Sequence, residues 1–238
     1  MLAFGSSHPS AATHAEERGA ALALLPVAAT LDYYALPASL QEQTLIQFAP
    51  QIISYLAFGL WAAHNHSILA RFGLESQKLD RGLKIGMVTG LVLGCLNTLV
   101  ILVIFPYLGY DVAFLKNTPH AHLPVYIMVP WLIVGIALFV EINFRGFLLG
   151  RLAGLESSLW NLPSVRRFPP FALITSALVF AFDPFMVNTF QHLHWIALWD
   201  GLIWGIIRLR TGNLYATIVA HAIEVILMYS AVRTALVS

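Results

Sequence analysis

Six ionisable side chains sit inside apolar stretches of this chain: Glu141, Arg145, Asp183, His194, His221 and Glu224. Charge is costly in an apolar setting, so each is a functional candidate and needs a partner. Glu141 and Arg145 are four residues apart, which on a helix puts the guanidinium beside the carboxylate. His221 and Glu224, three apart, also share a helical face. Such a set can do hydrolytic chemistry. A carboxylate with a histidine activates a water as general base, while a second histidine donates to the developing oxyanion. Two histidines and a carboxylate, here His194, His221 and Glu141, could instead hold a divalent metal such as zinc with one coordination position open. Proton relays and ion pathways use the same residue types, so identity alone leaves these chemistries open.

The elements that must position them are membrane helices. Of 238 residues, 58% are hydrophobic and 11% charged, and the mean hydropathy is +0.75. A soluble domain carries about 25% charged residues. Apolar segments fall at roughly 20–37, 44–63, 82–109, 123–149, 168–187, 191–209 and 213–236, near the ~20 residues that a crossing helix needs. The expected fold is all-α: a polytopic transmembrane bundle of about seven helices in the cell membrane. The first segment is the weakest, being interrupted by Pro26 and Asp32. Lysine and arginine collect in the loops after the second segment (Arg71, Lys78, Arg81, Lys84), the fourth (Arg151, Arg166, Arg167) and the sixth (Arg208, Arg210). Those loops are expected to be cytosolic, with the N-terminus inside and the C-terminus outside. Arg233 alone disagrees. Counted from the basic ends at ~1.5 Å per residue, Glu141 and His221 lie roughly 12 Å deep, and Asp183 and His194 roughly 22 Å. Two pairs are expected.

Other features have quieter readings. Gly86, Gly90 and Gly94 on the third segment, and Gly201 and Gly205 on the sixth, are packing rows that let helix backbones approach. His194 lies on the Gly201–Gly205 stripe and His192 points elsewhere, so His194 is the site candidate and His192 an interhelical hydrogen-bonding group. Asp200 is expected to pair with Arg208 or Arg210. Trp195, Trp199 and Trp204 read as packing or interface aromatics. Asp183 precedes Pro184, so the fifth segment should end or kink there. The single cysteine, Cys95, forbids an internal disulfide. A net charge of +1 without a basic cluster excludes nucleic acid as a partner.

The run Glu141-Ile-Asn-Phe-Arg145-Gly resembles the first motif of the CPBP family of intramembrane proteases (CAAX proteases and bacteriocin-processing enzymes). Ser176-Ala-Leu-Val-Phe180 resembles the lead-in to the second motif. Gly201-Leu-Ile-Trp-Gly205 through Arg210-Thr-Gly to His221 resembles the glycine-rich helix, turn and histidine-bearing helix that follow. The resemblance covers about residues 123–230. It implies a helical core at 123–238 with a cavity toward the cytosol; ahead of it, the apolar runs are expected to form membrane helices at 19–122, and the polar stretch at 1–18 a cytosolic tail. It also implies cleavage of a membrane-associated peptide or protein, with membrane lipid as the surroundings and no cofactor in the metal-free mechanism. The sequence departs from the family at three reactive positions, which here are Val140, Pro184 and Val225. Neighbouring polar residues are the expected replacements: Glu141 as general base oriented by Arg145, His194 to polarise the water, and His221 for the oxyanion, with Asp183 and Glu224 supporting the histidines. A catalytically silent scaffold or partner-binding protein on the same fold is the alternative. A transporter is a third reading.

Overall fold

The computed structural model describes residues 17–236. Of the expected N-terminal tail, all but Glu17 and Arg18 lies outside the described residues, as do the side chains of Pro119, His120, Arg166 and Arg167.

Backbone amides in lipid find no water, so apolar runs must satisfy their own hydrogen bonds as helices. Every apolar segment does so: α1 (Ala20–Ala35), α2 (Thr44–Ala63), α3 (Ile68–Tyr107), α4 (Val125–Trp160), α5 (Pro170–Ala181), α6 (Pro184–Thr211) and α7 (Leu214–Leu236). No strand occurs among the described residues, and the all-α bundle stands. Helices α2, α3, α4 and α7 are each long and apolar enough to cross a membrane, while α1 is shorter. Helices α5 and α6 reach that length as a pair, bent by 51° where the chain passes Asp183 and Pro184. A residue before proline is kept out of the helical region. Asp183 accordingly takes φ −55° and ψ 128°. Its carboxylate then caps α6, accepting from the backbone N–H of Phe185 at 3.1 Å and of Met186 at 3.3 Å.

Two contacts between helices set the architecture. Helix α3 lies against α7 along Gly82, Gly86, Gly90 and Gly94. A Cβ at Gly86 would fall 2.7 Å from the carbonyl oxygen of Ala216, and one at Gly90 would fall 2.6 Å from that of Ala220. The backbones approach closely only because those side chains are missing. Helix α5 packs on α6 in the same way, with Leu173 and Ala177 facing Gly205 and Gly201. Both glycine rows are packing surfaces, as expected.

The three basic loops gather at one end of the bundle. Glu17 ion-pairs with Arg71 at 3.6 Å and with Arg151, and it accepts from the indole N–H of Trp61 at 2.9 Å. Arg208 donates to the carbonyl of Arg71 at 3.1 Å. Gly73 takes a positive φ of +67° with its α-carbon against the carbonyl of Gly212, a contact that no side chain could share. Arg233 lies apart from this cluster and donates to the carbonyl of Leu123 at 3.0 Å.

Candidate active site

Helix α4 departs from α-helical winding on either side of Glu141, with π-helical turns over Trp131–Leu138 and Ile142–Leu148. Such turns recur at functional sites. Here they accompany a fully buried ion pair, Arg145 Nη1 to Glu141 Oε1 at 3.1 Å, with Arg145 inside the second turn. The same oxygen accepts from His221 Nδ1 on α7, also at 3.1 Å. The Glu141–Arg145 pair and the equal depth of Glu141 and His221 are thus both realised. Aromatic rings close the cluster. Trp204 of α6 stacks on His221 with centroids 4.3 Å apart, and the Arg145 guanidinium lies 4.3 Å from the centre of Phe180 and 4.9 Å from that of Trp204. Cation–π contact with two rings holds the guanidinium in a dry setting.

Beside this cluster lies a cavity of about 590 Å³, mostly apolar, reached by α2, α3, α4, α5, α6 and α7. His221, Asp200, Glu224 and Asp183 are among its polar lining residues, and Lys116 and Arg233 also line it. Val140 and Val225 line it too, two of the three positions at which the sequence departs from the motifs it resembles. Glu141 does not line it; its side chain is 0% exposed, facing Arg145 and His221 instead.

A second polar group, centred on Asn97, joins α3, α6 and α7. Asn97 is fully buried, and its Nδ2 donates to Glu224 Oε1 at 2.7 Å and reaches both oxygens of Asp200 at 3.1 and 3.2 Å. Its Oδ1 accepts from the indole N–H of Trp199 at 3.0 Å. Asp200 and Glu224 thus meet at one amide group, Asn97 Nδ2. This corrects the expectation that Asp200 pairs with Arg208 or Arg210. Those residues lie more than two turns along α6, at the basic end, whereas Asp200 adjoins Gly201 on the face turned into the bundle. Sequence reading missed Asn97, although a signal existed: it stands three residues after Gly94 and continues the glycine row.

The deeper pair does not form. Asp183 caps α6 and accepts from Gln51 Nε2 at 2.8 Å. His194 turns its Nδ1 to the carbonyl oxygen of Gln191 at 2.5 Å and packs its ring against Phe182 and Trp195. His194 is not among the cavity-lining residues, and among the described residues His194, His221 and Glu141 are not assembled as a set of metal ligands. Among the described residues no three His, Cys, Asp or Glu side chains converge as a metal site requires. His192 stacks among Phe105, Tyr110 and Phe114 instead of hydrogen-bonding across helices.

Fold and site together define a helical membrane protein with several spans, in which a buried glutamate–arginine–histidine cluster borders an internal chamber. Residues 122–227, just under half of the chain, match the family model described as type II CAAX prenyl endopeptidase Rce1-like. The matched segment holds Glu141, Arg145, Asp200, His221 and Glu224 together. No curated protein and no solved structure matches the chain.

Proposed function

We propose that the chain is an intramembrane endopeptidase that cleaves a membrane-associated peptide or protein, with His221 as the base that activates water. The observation that carries this reading is the bond from His221 Nδ1 to Glu141 Oε1 at the wall of the chamber. A carboxylate on Nδ1 fixes the proton there and leaves Nε2 as the ring atom able to take a proton from water. The same carboxylate, tied to Arg145, stabilises the imidazolium that forms. Glu141 then orients the base instead of being the base, in keeping with its place behind His221. Stacking by Trp204 holds the plane of the ring.

The apolar walls suit a substrate segment in or beside the bilayer, with lipid as the other neighbour. This chemistry needs no cofactor. The clustering of the three basic loops supports a cytosolic N-terminus in a cell membrane. The test is cleavage of a co-expressed, membrane-anchored substrate library. His221→Ala should lower cleavage by about 10²–10⁴-fold, the usual contribution of a positioned base. Equal cleavage by His221→Ala and the unaltered chain would sink the assignment.

One observation favours a second reading, a non-catalytic member that binds a membrane partner. Val140 and Val225 line the chamber where active relatives carry polar groups. On that reading no library peptide is cut by the unaltered chain.

A further inference from the structure

The chamber holds a pair of acidic side chains that the His221 mechanism leaves unused. Asp200 and Glu224 are 3% and 1% exposed, come from different helices, and both line the cavity next to His221. An ionised carboxylate only accepts hydrogen bonds and repels its like, so two buried carboxyl groups crowded onto one neutral amide favour the state in which one of them carries a proton. One guanidinium, that of Arg145, neighbours both carboxyl groups and is shared with Glu141. Asn97 supplies a neutral amide that reaches both. Arg145, the charged group nearest on α4, already has its Nη1 on Glu141. Arg208 turns to the basic end. Glu224 Oε2 is buried and receives no donor from the protein.

Two roles fit a proton-sharing pair: a hydrogen bond that merely joins α6 to α7, or a proton store for chemistry in the chamber. A joining bond would be sealed between helices. This pair instead opens on the same space as His221, three residues before Glu224 on one face of α7. We infer that Asp200 and Glu224 are the acid of the reaction, which protonates the leaving amine; this rests on the endopeptidase reading of His221.

The steps balance as follows. Water attacks the substrate carbonyl carbon, the carbonyl π pair moves onto oxygen, and His221 Nε2 takes one proton of the water. On collapse the C=O bond re-forms and the C–N bond breaks with its electron pair on nitrogen. That nitrogen receives the proton shared by Asp200 and Glu224. The imidazolium then returns its proton to the carboxyl pair, restoring both groups. Asn97 positions the pair without exchanging a proton.

The experiment compares two membrane-anchored substrates that differ only in the scissile bond, an amide in one and a thioester in the other. An amine must be protonated to leave, whereas a thiol has a pKa of about 8.5 and departs as thiolate without an acid. With the full chain in lipid nanodiscs, Asp200→Asn and Glu224→Gln should each lower amide cleavage by about 10²–10⁴-fold and keep thioester cleavage within about tenfold of the unaltered protein. His221→Ala should lower both. Infrared spectra of unaltered protein carrying ¹³C-labelled Asp and Glu should show a protonated-carboxyl band at neutral pH. This readout holds whether or not a variant folds. An amide-to-thioester ratio unchanged in the two carboxyl variants overturns the acid role alone, as does the lack of that band. An unaltered chain that cuts neither substrate overturns the endopeptidase reading, and the acid role falls with it.

Discussion

Replacing Gly90 by alanine tests how far the α3–α7 contact governs the site. The new Cβ would lie 2.6 Å from the carbonyl oxygen of Ala220 and 3.1 Å from its Cα. Ordinary contacts begin at 3.4 Å, so the helices must part by about 0.8 Å at this level. Both atoms belong to the backbone, and no rotamer change relieves them. Overpacking of this kind costs about 1–3 kcal/mol, and the upper half of that range is expected here. Asn97 stands two turns further along α3, bonded to Glu224 at 2.7 Å. The same displacement would stretch that bond to the edge of useful geometry, past about 3.2 Å. Gly59 on α2 is the control, since a Cβ there meets nothing within 4 Å. Gly59→Ala should be neutral or stabilise by up to about 1 kcal/mol, because alanine is the better helix former. Reversible unfolding in lipid–detergent mixtures, followed by tryptophan fluorescence, measures both variants. If Gly90→Ala unfolds within about 0.5 kcal/mol of Gly59→Ala, the seam is not tight and the reasoning fails.

Other outcomes follow from the same geometry. Glu141→Ala leaves the Arg145 guanidinium buried without its carboxylate and should cost about 3–5 kcal/mol in the same assay. Pairing it with Arg145→Met should recover much of that loss while activity stays absent; no recovery would mean that the pair is not the source of the cost. His194→Ala removes a bond to the Gln191 carbonyl outside the chamber. It should cost about 0.5–1.5 kcal/mol of stability and leave cleavage unchanged, so a large loss of turnover would return His194 to the mechanism. Glu17→Ala strips two arginines of their shared carboxylate and should also destabilise by about 3–5 kcal/mol. A melting point equal to that of the unaltered chain would count against that cluster.

Much of this arrangement is written in local spacing. Apolar run length gives the seven helical segments, and Pro184 gives the bend, because both act within a few residues of chain. The pairing of Glu141 with Arg145 is a one-turn relation, and its meeting with His221 follows from equal depth on two helices. Depth fails for Asp183 and His194 because polar groups near a helix end find backbone partners first: Asp183 caps α6, and His194 bonds a carbonyl three residues back. Asp200 looked bound for the arginines because they are close in sequence. Its actual neighbours come from α3 and α7, and only the three-dimensional seam brings Asn97 and Glu224 to it. The same limit applies to the chamber, whose valines at 140 and 225 are ordinary apolar residues until the helices enclose a space between them.

The position of Glu17 bears on the order in which the molecule can be made. Trp61 lies 44 residues downstream, so its indole can meet the carboxylate as soon as α1 and α2 form a hairpin. Arg151 is translated roughly 134 residues after Glu17, which at ~5–20 residues per second is a wait of roughly 7–27 s. During that interval the acidic group has the indole and, once α3 begins, Arg71, but no cation from α4. The second ion pair, to Arg151, closes only when α4 has been made. The Glu17 carboxylate therefore acts as a late clasp, shut in full by the arrival of α4.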